Sequence, residues 1–194
     1  VAEASRVLSD GWPVAIPTDT VYGLAVDPFR PGATDRLFEA KRRPRGVTLP
    51  VLVAGLDQAL SLAGPVSQGA LALMRRFWPG PLTVVVARRD GLGVDLGDDH
   101  ATIGVRCPAH PVARALCAAA GPLATTSANL HGEAPLVAAD DVASAFGATV
   151  PLVLDGGPCT GLPSTVVDCT GGEAKLLRQG GAAWDEVLAV FSGR

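Results

Sequence analysis

Val14-Ala15-Ile16-Pro17-Thr18-Asp19-Thr20-Val21-Tyr22-Gly23-Leu24 runs an apolar strand straight into a cluster of small hydroxyls that closes on a glycine. In extended backbone, residues two apart point the same way, so Thr18 and Thr20 can both face a cleft beyond the end of the strand. Gly23 lets the chain turn there, or lets a ligand come close. An ordinary strand-to-strand turn accounts for the same residues equally well.

Outward from that stretch, helical and extended patterns alternate along the chain. Residues 2–8, 33–41, 56–62, 69–77, 111–119, 140–146 and 184–191 read as helices. Residues 50–53, 82–87, 102–106, 123–125, 152–154, 165–168 and 174–177 read as strands, and 82–87 is the continuous apolar run of a buried one. Glycine and proline gather at the joints, as in Trp78-Pro79-Gly80-Pro81 and Gly156-Gly157-Pro158. Strands mixed irregularly with helices predict an α/β fold with a sheet of mixed direction rather than a regular doubly wound repeat.

The 194 residues suit one domain, since no linker composition interrupts them, and 48% apolar residues is ample for a core. A net charge of −3 argues against a generic nucleic-acid binder held by diffuse basic charge. Cys107, Cys117, Cys159 and Cys169 show no Cys-x-x-Cys spacing, and His100, His110 and His131 supply no zinc pattern. No protein-built metal site is therefore expected, and reduced thiols fit a cytoplasmic setting. No apolar run approaches the roughly twenty residues of a membrane span.

Against this acidic background stands Lys41-Arg42-Arg43-Pro44-Arg45. Only two of the sixteen cations are lysine, and one lies inside this run. Pro44 drives Arg43 out of helical backbone, so the preceding helix should end near Lys41. If the chain is extended from there, Lys41 and Arg43 converge on one ligand while Arg42 points away. A solvated basic helix end is the plainer alternative. Ser127 and Asn129, also two apart after a strand, have local turn bonding as their plain alternative. Arg106 ends a strand, where α/β sheets often present ligand crevices. No Walker phosphate loop and no Gly-x-Ser-x-Gly elbow is present, and Gly91 to Gly97 reads as a loop.

Taken together and in order, PTDTVYGL (17–24), AKRRP (40–44), FWPGPLTVVV (77–86), TIGVRCPAHP (102–111), TSAN (126–129), STVVD (164–168) and LLRQG (176–180) resemble the YrdC-like family, whose characterised members include threonylcarbamoyl-adenylate synthases. The resemblance implies a twisted open mixed sheet with flanking helices around a deep, positively lined cavity. It also implies the short form, one YrdC-like domain over residues 1–194. The implied reaction joins L-threonine, bicarbonate and ATP into threonylcarbamoyl-AMP, releasing pyrophosphate, with Mg²⁺ arriving on ATP. The product feeds tRNA modification through hand-off to a transfer complex, with tRNA contact itself left open.

Carried over by motif, Lys41, Arg43, Ser127 and Asn129 form the signature quartet. Arg43, Thr102, Asn129 and Arg178 would hold ATP. Thr20, Arg106, Ser127 and Ser164 would surround L-threonine and its carbamate, with Arg106 best suited to pair with a carboxylate. An RNA-binding module, an inactive nucleotide-binding paralogue and the related domain of hydrogenase-maturation carbamoyltransferases remain as alternatives. The run Val47 to Pro50, Leu52 and His131 depart from residues common in relatives.

Overall fold

The structure is a computed structural model and describes residues 1–42, 44–130 and 132–193. Among these are seven helices: α1 (Ala2–Ser9), α2 (Ala33–Lys41), α3 (Leu56–Leu62), α4 (Gln68–Phe77), α5 (Pro111–Ala120), α6 (Ala139–Phe146) and α7 (Trp184–Phe191). Nine strands join them: β1 (Val14–Ile16), β2 (Gly23–Val26), β3 (Val51–Leu52), β4 (Leu82–Ala87), β5 (Thr102–Arg106), β6 (Leu123–Ser127), β7 (Leu152–Val153), β8 (Thr165–Asp168) and β9 (Lys175–Arg178). The helix starts follow local chemistry. Ser67 Oγ caps α4 by accepting from Ala70 N, and His110 Nδ1 caps α5, which opens on Pro111. Helix α2 ends where Arg42 takes a left-handed conformation, two residues before Pro44.

All nine strands form one mixed sheet in the order β7-β1-β2-β6-β3-β5-β4-β8-β9. The pairs β1–β7, β3–β5 and β4–β8 are parallel and the remaining pairs antiparallel. Strand β2 is the element that the sequence pattern did not announce. Gly23 is its first residue, paired with Ile16 on one side and Ser127 on the other, so the hydroxyl cluster is a loop between two antiparallel strands.

Alternation along the strands divides the core in two. Val14, Ile16, Ala25, Leu52 and Leu123 face one way and pack on Ala4 and Leu8 of α1 and Ala113, Leu116 and Cys117 of α5. Leu24, Val26, Val51, Val84, Ile103 and Val105 face the other way, beneath α2, α3, α4, α6 and α7. Helices α1 and α5 cover only part of their face. Beyond β3 that face bears Thr83, Gly104, Arg106 and Ser164, which line cavities instead of a helix interface. Incomplete helix cover is what creates room for a ligand.

Residues 154–164 connect β7, at one edge, to β8, with six strands between them. Seven interstrand steps amount to about 33 Å, against a reach of about 40 Å for that many residues. The connector is accordingly drawn tight across the sheet. Tyr22 Oη donates to Gly157 O at 2.9 Å, Thr160 Oγ1 to Asp19 O at 3.1 Å, and Gly161 N to Thr20 O at 2.8 Å. It thus straps the hydroxyl loop in place and delivers Ser164 to the cavity.

A second clip holds the loop after α2. Arg45 reaches Asp95 at 2.6 and 2.7 Å and Asp35 at 2.5 Å, while its guanidinium lies over Phe38. Burial works to raise the Asp95 pKa, but bonds from Arg45, Gly97 N and Thr34 outweigh it and hold the carboxyl below its ordinary value. A depressed carboxylate stabilises the fold above its unfolded pKa of about 4, and that contribution disappears as pH falls through the folded value. Because the pair is well exposed, Asp95→Asn is expected to lower Tm at pH 7 by only roughly 1–4 °C. The deficit should shrink as thermal melts are taken below about pH 4. An equal deficit at pH 7 and in strong acid would contradict the assignment.

Candidate active site

Two adjoining cavities, of about 160 and 310 Å³, open on the uncovered sheet face. They share Pro50, Thr83, Ser164 and Arg178. The smaller adds Thr18, Thr20, Arg106, Thr125 and Ser127 and is lined by hydroxyls and guanidinium. The larger adds Leu49, Val85, Gly104, Val166 and Leu177 and is more apolar, with Thr48 and Thr102 at its side. A polar, cationic chamber beside an apolar slot can take a ligand with an anionic part and a flat or apolar part.

Arg106 is nearly fully buried at the end of β5, and three partners fix it. Nε donates to Gly80 O at 3.0 Å, Nη1 to Thr20 Oγ1 at 2.9 Å and Nη2 to Asp19 Oδ1 at 2.7 Å. The Trp-Pro-Gly-Pro turn is therefore part of the site. A β-carbon on Gly80 would come within 2.3 Å of Phe77 O, so only glycine lets the turn present its carbonyl to Arg106. Burial pushes the guanidinium pKa down, and the Asp19 carboxylate works against that shift. Thr20 passes the interaction on: Thr18 Oγ1 lies 2.9 Å from Thr20 Oγ1 and donates to Val21 O at 2.6 Å. Of the five guanidinium N–H groups three are engaged, leaving two for a ligand such as a carboxylate.

At the junction of the cavities, Ser164 Oγ lies 2.9 Å from Thr83 Oγ1 and accepts from Arg178 Nη2 at 2.9 Å. Arg178 also donates from Nε and Nη2 to Ser164 O, which folds its head inward from exposed edge strand β9. Desolvation lowers its pKa. A β-carbon on Gly180 would lie 2.3 Å from Pro163 O, so the glycine of the Leu-Leu-Arg-Gln-Gly run allows this close approach. Thr102 faces the larger cavity, and its hydroxyl is hydrogen-bonded to Asp99.

Lys41, Ser127 and Asn129 make the third group. Lys41 Nζ donates to Ser127 O at 2.7 Å, Ser127 Oγ at 3.2 Å and Asn129 Oδ1 at 3.0 Å. Ser127 Oγ donates to Asn129 Oδ1 at 2.5 Å, and Asn129 Nδ2 donates to Leu130 O and Glu133 O. Asn129 thereby uses its two acceptor positions and both donors. The group meets the smaller cavity through Ser127, while Lys41 and Asn129 stand behind that wall. The expectation that Lys41 and Arg43 share an extended segment requires correction. Lys41 is the last residue of helix α2 and Arg42 is left-handed, so strand-like alternation does not begin at Lys41. Arg43 itself lies outside the described residues.

Sequence reasoning singled out neither Asp19 nor Thr83 as a site residue. Thr83 is the sole hydroxyl in the Leu82–Ala87 run, and alternation with Val84 and Val86 would have put it on the opposite face from them. Asp19 had no comparable signal, because its partner Arg106 is distant in sequence and is brought to it by sheet order.

The Sua5/YciO/YrdC family model, described as "Telomere recombination", matches residues 6–180. A putative threonylcarbamoyl-AMP synthase of Mycobacterium tuberculosis is 39% identical over 192 residues, covering 98% of this chain and 88% of the relative. The threonylcarbamoyl-AMP synthase of Bacillus subtilis is 37% identical over 98% of this chain but only 56% of its own length. Among solved structures, P. abyssi Sua5 complexed with L-threonine superposes with a TM-score of 0.88 at 36% identity, covering 97% of this chain and 56% of that one. The chain thus spans just over half the length of some relatives and most of another's. With the ordered motifs, the mixed sheet and this coverage in agreement, the chain belongs to the Sua5/YciO/YrdC family.

Proposed function

We propose that the chain is an L-threonylcarbamoyl-AMP synthase, a nucleotidyltransferase acting on ATP, L-threonine and bicarbonate. The observation that carries this reading is the convergence of Arg106–Thr20 and Arg178–Ser164 on one hydroxyl-lined chamber beside an apolar slot. Arg106 takes the amino-acid carboxylate through its two remaining N–H groups, with Thr20, Ser127 and Ser164 around the rest of the molecule. The threonine amine attacks carbon dioxide derived from bicarbonate, giving the carbamate. A carbamate oxygen then attacks the α-phosphorus of ATP, and pyrophosphate leaves.

Both partners in that second step are anionic, so the protein's main task is to offset repulsion and hold the reacting atoms together. Arg178 at the junction and Lys41 behind Ser127 supply positive charge toward the phosphates, Arg43 is assigned to the same task by its motif alone, and Thr102 lies along the nucleotide slot. The three donors of Lys41 already meet protein acceptors, so it acts on the phosphates through its field and by fixing Ser127. Asn129 serves the ATP end by anchoring Lys41, and contacts nucleotide directly only by exchanging a partner. Mg²⁺ enters as part of the substrate, carried on phosphate oxygens. The product passes to a tRNA-modifying transfer machinery in the cytoplasm.

The test is pyrophosphate release from Mg-ATP with L-threonine and bicarbonate present, singly and together. Release that requires both is the expected result. Release independent of L-threonine, or none with all three substrates present, would overturn the reading.

A further inference from the structure

Asp19 sits in the hydroxyl loop with its side chain largely buried, and one of its oxygens has two donors. Oδ1 accepts from Arg106 Nη2 at 2.7 Å and from the backbone N of Ala109 at 3.0 Å. The Ala109 bond ties it to the segment that follows β5, so the carboxylate bridges the hydroxyl loop to the chain just beyond Arg106. Gly80 O and Thr20 Oγ1 hold the Nε and Nη1 parts of the same guanidinium, and neither carries formal charge. The second cation acting on Arg106 is Arg178, whose repulsion Asp19 offsets.

We infer that Asp19 is a positioning residue for the amino-acid substrate: by holding Nη2 it orients the Arg106 fork so that its spare N–H groups meet the substrate carboxylate. This rests on the proposed synthase reading, in which Arg106 takes that carboxylate. Planar, bidentate recognition depends on the angle of the guanidinium as well as its charge. A head held only at Gly80 and Thr20 can tilt about the line joining those two acceptors and present one N–H instead of two. Asp19 acts through Arg106, and a function confined to stability would alter the affinity of every ligand of the chamber together.

Selectivity for the carboxylate separates these cases. Dissociation constants for L-threonine and L-threoninamide, which lacks the carboxylate charge, are to be measured by calorimetry on the wild type, Asp19→Ala and Asp19→Asn. The loop should keep its place in both variants, since Thr160 Oγ1 and Gly161 N hold its backbone independently of the carboxylate. In Asp19→Ala the preference for L-threonine over the amide is expected to fall by roughly tenfold or more, the scale of one hydrogen bond to a charged group. In Asp19→Asn the amide oxygen still accepts from both Arg106 and Ala109, and the preference should stay within about threefold of wild type.

An unchanged preference in Asp19→Ala overturns the inference, as does equal weakening of both ligands. If Asp19→Ala does not fold, Asp19→Ser takes its place, since its shorter side chain does not span from the loop to both Arg106 Nη2 and Ala109 N: a reduced preference supports the inference and an unchanged one overturns it. A wild type that binds neither ligand, or binds them equally, overturns the synthase reading beneath it instead.

Discussion

Lys41→Met is expected to reduce turnover by roughly a hundredfold or more, the scale set by loss of an electrostatic contact that serves the transition state. Methionine keeps the length of the side chain and its apolar stem, and removes the charge and its donors. Three acceptors, Ser127 O, Ser127 Oγ and Asn129 Oδ1, then lose the ammonium that joins them. Asn129 Oδ1 keeps the Ser127 hydroxyl and Ser127 O keeps the backbone N–H of Asn129, so neither is orphaned, and Tm should fall while the cooperative transition survives. The measurement is steady-state pyrophosphate release beside a thermal melt. Near-normal turnover in the folded variant would remove Lys41 from the machinery.

Arg106→Lys carries the second large effect, although it preserves charge. The guanidinium reaches Gly80 O, Thr20 Oγ1 and Asp19 Oδ1 in diverging directions and has two N–H groups to spare. An ammonium has three donors in total and cannot keep those bonds while forking onto a carboxylate. The KM for L-threonine is expected to rise roughly a hundredfold, about 3 kcal/mol, as when a buried hydrogen-bonded charge partner is lost. Direct ATP binding should change far less, because Arg178 and the Lys41 group remain. A parallel collapse of ATP affinity would show that Arg106 does not serve the amino acid alone.

Much of the sheet was legible because its strands are apolar runs with clear ends, as in Leu82–Ala87 and Thr102–Arg106. Strand β2 was not. Gly23-Leu24-Ala25-Val26 holds two small residues and is buried on both faces, so neither β-propensity nor alternation marks it; pairing with β1 and β6 does. The site was legible through motif order more than through local geometry. The two-apart argument had a real strand behind it for Ser127, the last residue of β6. It had none for Lys41, where the helix ends as expected but the chain continues through left-handed Arg42 and not as a strand. Asp19 was hidden because its meaning lies in Arg106, and no local pattern connects them.

The tight connector from β7 to β8 has a consequence for how the protein is made. Ser164 and Arg178 lie after it, and β8 must pair in parallel with β4, a strand completed some eighty residues earlier. A chain emerging in order from the ribosome can assemble β1 to β6 with α1 and α5 while Ser164 and Arg178, at the junction of the cavities, are still unsynthesised. Arg106 is then in place with no opposing Arg178. Nucleotide and amino acid meet a finished chamber only when the last third of the chain has crossed the sheet, so synthesis itself sets the moment at which the site can first be filled.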